Sequence, residues 1–173
     1  MNLWERCSKI KAIILDVDGV LTNGLIGYHE NGNEIKFFHV RDGHGLKLAQ
    51  RAGLKIGILS GRKSLANRTR FEELKLDFMY EAVKNKEEGF SRLLEEQNLS
   101  AEECMYFGDD VVDAPPMARC GLAVAVGDAV AELDKVAHLR TRAYGGQGAI
   151  REGIELLLKE QGQWEKLMER YFS

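Results

Sequence analysis

The segment Ala12-Ile13-Ile14-Leu15-Asp16-Val17-Asp18-Gly19-Val20-Leu21-Thr22 decides how the fold of this chain is interpreted. Its opening apolar run predicts a short buried strand, and the aspartates and glycine that follow predict a polar turn at the end of that strand. In open α/β sheets, ligands bind beyond the carboxyl ends of the strands. We therefore expect Asp16 and Asp18 to lie at a functional site on one edge of a sheet.

Outward from this segment, short apolar runs alternate with longer amphipathic segments. The predicted strands cover residues 12–15, 55–59, 78–83, 104–107 and 122–126, and the predicted helices cover residues 43–52, 64–74, 87–97, 113–119 and 130–135. Strands that alternate with helices are typical of a doubly wound α/β domain with a parallel, Rossmann-like sheet. A length of 173 residues suits one domain over residues 1–173.

Two segments depart from this alternation. Residues 25–28 and 34–40 are strand-like and flank Glu30-Asn31-Gly32-Asn33, in which Asn-Gly is a strong turn signal, so we expect a protruding β-hairpin over residues 25–40. The C-terminal tail, residues 145–173, begins with the glycine-rich stretch Gly145-Gly146-Gln147-Gly148, which we expect to be a flexible loop. Residues 149–171 then predict a helix that is interrupted near Gly162.

The composition excludes some classes of function. Lys and Arg total 24 against 27 Asp and Glu, so the net charge of -3 gives no general attraction to nucleic acid or to an anionic membrane. No apolar run approaches the roughly 20 residues of a membrane span, and residues 1–11 lack the pattern of a signal peptide. The three cysteines form no close-spaced metal pair, which favours reduced thiols and a cytoplasmic location.

Polar residues follow each of the next three predicted strands. They are Ser60-Gly61-Arg62, Asn85-Lys86 and Gly108-Asp109-Asp110-Val111-Val112-Asp113. If Asp16, Asp18 and Asp109 converge, their mutual repulsion calls for a bound cation, and an all-oxygen ligand set favours Mg²⁺. The cation and Lys86 would neutralise the oxygens of a transferring phosphoryl group, and Ser60 would donate a hydrogen bond to them.

This set of residues predicts a phosphatase. Hydrolysis of phosphate monoesters is very slow without a catalyst, and a carboxylate nucleophile divides the barrier into two steps. Asp16 is the expected nucleophile, which gives an aspartyl-phosphate intermediate. Asp18 lies close enough in sequence to protonate the leaving alcohol and later to deprotonate the attacking water.

The order Asp-x-Asp-Gly-x-x-Thr, Ser, Lys and Gly-Asp-Asp-x-x-Asp resembles that of the haloacid dehalogenase superfamily of phosphohydrolases. The resemblance implies that Asp16 is both nucleophile and metal ligand. It also implies that Asp18 is the acid/base and gives its backbone carbonyl to Mg²⁺. Asp109 becomes the third protein ligand of the metal, supported by Asp110 or Asp113.

Many members of that superfamily insert a cap domain between these motifs, but the spacings from Asp18 to Ser60 and from Ser60 to Lys86 leave no room for one. The hairpin, Arg41-Asp42-Gly43-His44-Gly45, Ser60-Gly61-Arg62 and residues 145–152 together resemble the 3-deoxy-D-manno-octulosonate 8-phosphate phosphatases. That resemblance implies a homotetramer, a sugar acid phosphate as substrate and a place in lipopolysaccharide precursor biosynthesis. It also implies the substrate contacts His39, Gly43, His44, Gly45, Leu46, Lys47, Arg62, Arg70 and Lys86.

Several alternatives remain open at this point. Phosphatases of sialic-type nine-carbon acid 9-phosphates are similar in motifs, but they tend to carry an acidic residue where Arg62 stands. A catalytically silent oligomeric scaffold or regulatory module is a second alternative, although Asp16 and Asp18 are both present. A protein phosphatase is a third, because a site without a cap admits large substrates. A phospho-receiver domain is disfavoured, because the third predicted strand is followed by Asn85-Lys86 and not by an aspartate.

Overall fold

The computed structural model describes residues 1–172 and contains a six-stranded parallel sheet with helices on both sides. The strands of this sheet are β1 (Ala12–Leu15), β4 (Lys55–Leu59), β5 (Phe78–Tyr80), β6 (Cys104–Gly108), β7 (Leu122–Ala125) and β8 (Leu139–Arg140). A separate antiparallel hairpin pairs β2 (Gly27–Tyr28) with β3 (Glu34–Ile35). The helices are α1 (Leu3–Cys7), α2 (Val40–Arg51), α3 (Leu65–Leu74), α4 (Lys86–Gln97), α5 (Ala114–Arg119), α6 (Ala149–Glu160) and α7 (Trp164–Phe172).

The strand order β5-β4-β1-β6-β7-β8 places β1 in the middle of the sheet. The chain adds strands outward on one side of β1, then returns and adds strands outward on the other side. Between β1 and β6 the order therefore reverses, and such a switch point opens a crevice at the carboxyl ends of the strands. Leu15 pairs with Ile58 on one side and with Phe107 on the other, so the residues after these three strands meet at one edge.

The residues of β1 are buried on both faces of the sheet, as expected for a central parallel strand. Ile13 and Leu15 pack in one apolar cluster with residues of α2 and α6. Ile14 packs in the other cluster with residues of α4 and α5, such as Phe90 and Met117. These two layers confirm the doubly wound α/β fold.

Several boundaries differ from the expectations. The paired part of the hairpin is only two residues long on each strand, α2 begins at Val40 where a strand was expected, and β5 ends at Tyr80. Residues 131–135 form a 3₁₀ helix, and α1 and β8 were not predicted. The interruption near Gly162 is confirmed, since α6 and α7 flank it and Gly162 has φ of 68°.

The absence of a cap domain follows from the connections among residues 1–172. Only the hairpin and α2 lie between β1 and β4, and only α3 and β5 lie between β4 and α4. The stretch from Gly145 to Gly148, expected to be a flexible loop, is a turn whose backbone is hydrogen-bonded to its surroundings. Within the same residues, we find no helix with the length and apolar character needed to cross a membrane.

Candidate active site

Asp16 and Lys86 meet at the carboxyl edge of the sheet. Asp16 directly follows β1, is only 7% exposed, and donates its backbone amide to the Phe107 carbonyl at 3.2 Å. Lys86 is the first residue of α4, whose start is fixed by the Asn85 side chain accepting from the Glu87 amide at 3.0 Å. The Lys86 ammonium lies 2.9 Å from Asp16 Oδ2. The expected nucleophile and the expected phosphate-binding lysine are thus in contact.

Asp113 holds Lys86 of this pair in place. Its fully buried carboxylate accepts from Lys86 Nζ at 2.5 Å and from the Tyr106 hydroxyl at 2.8 Å through Oδ1. Its Oδ2 accepts from the backbone amides of Asp109 at 3.1 Å and Asp110 at 3.4 Å. Each oxygen therefore has two donors. Asp113 fixes Lys86 and the loop after β6 at the same time.

Three carboxylates crowd this edge of the sheet. Asp16, Asp109 and Asp113 each offer an oxygen within 4.8 Å of the others. Burial and the charges of Asp16 and Asp113 raise the pKa of Asp109 to about 8. Burial and the charge of Asp113 raise the pKa of Asp16 to about 6, against the opposing effect of Lys86. The cluster thus carries more negative charge than Lys86 offsets, which is the environment of a cation site.

The donor atoms of this cluster fit Mg²⁺, which prefers oxygen ligands. Asp16 and Asp109 have carboxylate oxygens available, whereas both oxygens of Asp113 are saturated by hydrogen-bond donors. These contacts favour a supporting role for Asp113 over metal ligation, and the supporting roles of Asp110 and Asp113 stay predictions. Asp110 is exposed, and its side chain accepts from the Val111 amide at 2.7 Å.

The turn after Asp16 requires glycine at position 19. Gly19 has φ of 89°, and a Cβ there would lie 2.5 Å from Asp109 Cγ, closer than real Cβ atoms come to any atom. The Thr22 hydroxyl accepts from the amides of Gly19 at 3.3 Å and Gly24 at 3.2 Å, and it donates to the Val17 carbonyl at 3.3 Å. The Asp-Gly-x-x-Thr part of the motif therefore folds this turn against Asp109.

The Asp18 carboxylate belongs to a second charged group, with Glu34, Lys36 and Arg62, that the sequence did not predict. Lys36, whose side chain is 0% exposed, lies 2.6 Å from Asp18 Oδ1 and 3.3 Å from Glu34 Oε2, and it donates to Asn67 Oδ1 at 3.1 Å. Arg62 Nε is 3.9 Å from Asp18 Oδ2, and its Nη2 pairs with Glu34. No local spacing links position 36 to position 18, so the sequence holds no signal for this contact.

Ser60 and Arg62 lie where the strand order predicts. Ser60 follows β4, is 1% exposed, and donates its amide to the Tyr80 carbonyl at 2.8 Å. Its hydroxyl oxygen accepts from the Arg62 amide at 3.3 Å. The Arg62 side chain is 47% exposed, so it can reach a ligand in solvent. Ser60 therefore follows the strand that neighbours β1, and Arg62 lies beside Asp18.

The predicted substrate contacts at residues 43–47 lie on α2, and as substrate contacts they remain predictions. The middle of α2 contains Gly43, His44, Gly45, Leu46 and Lys47, in agreement with the predicted helix over residues 43–52. Leu46 is buried in the core, the Lys47 ammonium donates to the Leu74 carbonyl, and His44 Nε2 lies 3.0 Å from the Tyr171 hydroxyl. Packing of α2 against α6 explains why glycine stands at position 45, since a Cβ there would lie 3.2 Å from Arg151 Cα of α6.

Asp42 has a structural role in the same motif. Its buried carboxylate accepts from the amides of Gly148 at 3.1 Å and Arg151 at 2.8 Å, and so it caps the N-terminus of α6 from α2. Arg70 and His39 also make local contacts. The Arg70 guanidinium lies 5.5 Å from the Phe38 ring centroid, and His39 Nδ1 lies 4.0 Å from Asp42 Oδ2. As substrate contacts, both residues remain predictions.

Comparison with known proteins adds independent findings. The model of the haloacid dehalogenase-like hydrolases matches residues 40–121. The 3-deoxy-D-manno-octulosonate 8-phosphate phosphatase of Escherichia coli (strain B / BL21-DE3) is 42% identical over 165 residues, which cover 95% of this chain and 88% of the relative.

Solved structures of proteins with the same name are also similar. The structure of the Yersinia pestis phosphatase has a TM-score of 0.90 and 37% identity, and the match covers 94% of this chain and 88% of that chain. The structure of the Moraxella catarrhalis phosphatase, in complex with a magnesium ion, a phosphate ion and a KDO molecule, has a TM-score of 0.94 and 30% identity, with 97% of each chain covered.

Proposed function

Because this chain belongs to the haloacid dehalogenase-like hydrolases, among the 3-deoxy-D-manno-octulosonate 8-phosphate phosphatases, we propose that it hydrolyses this sugar acid phosphate to the free sugar acid and phosphate. The observation that carries the proposal is the contact of Lys86 Nζ with Asp16 Oδ2 at 2.9 Å, beside the carboxylate of Asp109. The proposed nucleophile, the proposed phosphate-binding ammonium and the proposed metal site therefore lie together at one edge of the sheet.

Mg²⁺ is the proposed cofactor. Asp16 and Asp109 would hold it through their carboxylates, and Asp18 through its backbone carbonyl. When bound, the ion withdraws negative charge from the phosphoryl group during transfer. The Moraxella catarrhalis structure, which contains a magnesium ion, supports this choice of metal.

In the first step, an oxygen of Asp16 forms a bond to phosphorus while the bond between phosphorus and the sugar oxygen breaks. Lys86, fixed by Asp113, binds the phosphoryl oxygens, and the Ser60 hydroxyl donates to them. Burial alone would lower the pKa of Lys86, but the carboxylates of Asp16 and Asp113 outweigh burial and raise it, so the ammonium keeps its charge. Asp18 gives its proton to the leaving sugar oxygen.

In the second step, water attacks the aspartyl-phosphate. The Asp18 carboxylate takes a proton from this water, the bond between phosphorus and Asp16 breaks, and inorganic phosphate leaves. Asp18 is then protonated again for the next substrate. The two steps restore both aspartates to their starting states.

Arg62 is the proposed partner of the substrate carboxylate. It is half-exposed, lies beside Asp18, and offers the planar, two-pronged donor set that binds carboxylates well. In the structure it pairs with Glu34, so binding of the substrate would exchange one carboxylate partner for another.

We also propose that the protein is a cytoplasmic homotetramer in lipopolysaccharide precursor biosynthesis. The hairpin region supports an oligomer, because large apolar side chains there are strongly exposed. They are Leu25 at 69%, Tyr28 at 65%, Phe37 at 73% and Val40 at 81%. Contact between copies would bury them and would wall in a site that has no cap. Gel filtration tests this point, and a mass near one chain would contradict it.

The decisive experiment is phosphate release with Mg²⁺ from 3-deoxy-D-manno-octulosonate 8-phosphate, a sialic-type 9-phosphate and a panel of common sugar phosphates. We expect strong preference for the octulosonate, loss of release in EDTA, and recovery on adding Mg²⁺. Asp16→Asn should abolish release with the fold intact, while Asp134→Asn, at an exposed aspartate paired with Arg140, should retain it. Broad, weak release would contradict the substrate, and turnover by Asp16→Asn would contradict the mechanism.

A further inference from the structure

Two glycines of the C-terminal segment lie directly on the turn that carries Asp18. The Gly146 amide donates to the Val20 carbonyl at 2.9 Å. A Cβ at Gly145 would overlap the Gly19 carbonyl, with 2.6 Å to its carbon, and a Cβ at Gly146 would lie 2.9 Å from Thr22 Cα. Any side chain at these two positions would therefore push against the backbone of residues 19–22.

Three carboxylates fix the glycine turn, residues 145–148, and the two residues Arg142 and Ala143 just before it. Glu152 accepts from the amides of Arg142 and Ala143, each at 2.9 Å. Asp128 accepts from the Gly145 amide at 2.8 Å, and Asp42 accepts from the Gly148 amide at 3.1 Å. These acceptors come from α6, from the loop after β7 and from α2. The glycine turn is thus a rigid surface rather than a free tail.

Gly19 has a second close neighbour. A Cβ there would lie 2.5 Å from Asp109 Cγ, so the Asp109 carboxylate also lies against Gly19. The backbone of Gly19 is therefore close to both Gly145 and Asp109. A displacement of Gly19 would therefore disturb contacts with both Gly145 and Asp109, and Asp18 is the adjacent residue.

We propose that Gly145 and Gly146 are positioning residues for Asp18. They hold the backbone of the turn so that the Asp18 carboxyl group meets the leaving oxygen of the substrate. The inference rests on the proposed phosphatase function, since it assigns the turn a role in protonating a leaving group. It gives the glycine-rich segment a role within its own subunit.

Gly145→Ala is the primary test. The φ of Gly145 lies outside the left-handed range, so alanine adds a clash without backbone strain. Gly53→Ala is the matched control, because Gly53 has φ of 88° but nothing within 4 Å of an added Cβ, so it adds strain without a clash. Both variants are assayed on the octulosonate 8-phosphate and on p-nitrophenyl phosphate, whose leaving group needs little protonation.

We expect Gly145→Ala to lower kcat about 100-fold on the sugar phosphate, because small displacements of a catalytic group have effects of this size. On p-nitrophenyl phosphate we expect a fall of about tenfold or less, with KM little changed on either substrate. Gly53→Ala should match the unmodified protein on both. An equal fall on the two substrates, or no fall, would overturn the positioning role of the glycines.

A second variant and a measurement without turnover cover a poorly folded Gly145→Ala protein. Asp128→Ala removes one support of the glycine turn without a clash. In metal-free protein, hydrogen exchange followed by mass spectrometry should show faster exchange in residues 17–23 of either variant and unchanged exchange in α4. Unchanged exchange in residues 17–23 would overturn the inference. If the unmodified protein released no phosphate, the proposed function would fail, and the exchange result would still decide whether the glycines hold the turn.

Discussion

Replacing Asp113 by asparagine tests whether this residue anchors the site. The substitution keeps the shape of the side chain but removes its charge and one of its two acceptor oxygens. Lys86, Tyr106 and the amides of Asp109 and Asp110 all donate to Asp113 in the structure. The asparagine amide group must face one pair of these donors, so two of the four lose their acceptor.

The size of the effect follows from these contacts. An unsatisfied buried donor costs about 1–3 kcal/mol, and breaking a buried charge pair costs about 3–5 kcal/mol. Lys86 keeps Asp16 as a partner at 2.9 Å, and repulsion among the carboxylates is relieved, which offsets part of the loss. We expect a net loss of about 3 kcal/mol, which lowers the Tm of a protein of this size by roughly 6–12 °C.

Asp110→Asn is the control from the same motif. Asp110 is exposed and caps the turn through the Val111 amide, and asparagine caps almost as well as aspartate, so we expect a change within about 0.5 kcal/mol. Both variants are compared by calorimetry at pH 7 in metal-free buffer, and by kcat with Mg²⁺. Equal losses of Tm in the two variants would refute the anchoring role of Asp113.

Three further predictions follow. Mg²⁺ at about 100 times its Kd should stabilise the protein by about 2.7 kcal/mol, and this should appear as a rise in Tm that EDTA reverses. Asp109→Asn should largely remove the rise, and the same rise in that variant would contradict the metal site. Lys36→Met should lower turnover of the sugar phosphate at least about tenfold, because it leaves the Asp18 carboxylate without its 2.6 Å partner; unchanged turnover would contradict that role. Burial and the charge of Arg6 lower the pKa of His138 below 6.5, so the contribution of neutral His138 to the free energy of unfolding is present above that pH and is lost as the pH falls. Denaturant titrations at two pH values should show that His138→Gln weakens the pH dependence of this free energy. An unchanged pH dependence in the variant would contradict the prediction.

The part of the site that the sequence predicted is the part that follows strands. Asp16, Ser60, Lys86 and Asp109 come after successive strands, and parallel strands direct their carboxyl ends to one edge, so strand order alone brings these residues together. Short apolar runs in a central sheet are also easy to recognise, which explains why the fold class was confirmed.

The part that the sequence did not predict depends on contacts between distant elements. Lys36 follows a short hairpin strand, and nothing in its neighbourhood indicates that it reaches Asp18. The carboxylate of Asp42 caps α6, over a hundred positions away in the chain, and no local pattern predicted this contact. Such pairings are set by the packing of whole helices and not by local periodicity.

The carboxylate cluster has an uneven charge that the fold alone does not correct. Asp16, Asp109 and Asp113 face the single ammonium of Lys86, so three negative charges minus one positive charge leave two uncompensated when all are ionised. Unpaired buried charge costs several kcal/mol, and the raised pKa values of Asp16 and Asp109 express that cost. A divalent cation matches the deficit, which is the physical reason to place Mg²⁺ here.

The neighbouring charged group, formed by Asp18, Glu34, Lys36 and Arg62, differs from the carboxylate cluster because its charges are balanced. This difference indicates which end of the substrate binds to each group. When Asp18 is ionised, as it is after it has protonated the leaving oxygen, Asp18 and Glu34 face Lys36 and Arg62, so two negative charges meet two positive charges. The Arg62 side chain is half-exposed, and Glu34 keeps Lys36 as a partner at 3.3 Å, so a substrate carboxylate can compete with Glu34 for the Arg62 guanidinium. We therefore propose that the phosphate binds to the metal and Lys86, and that the substrate carboxylate binds to Arg62.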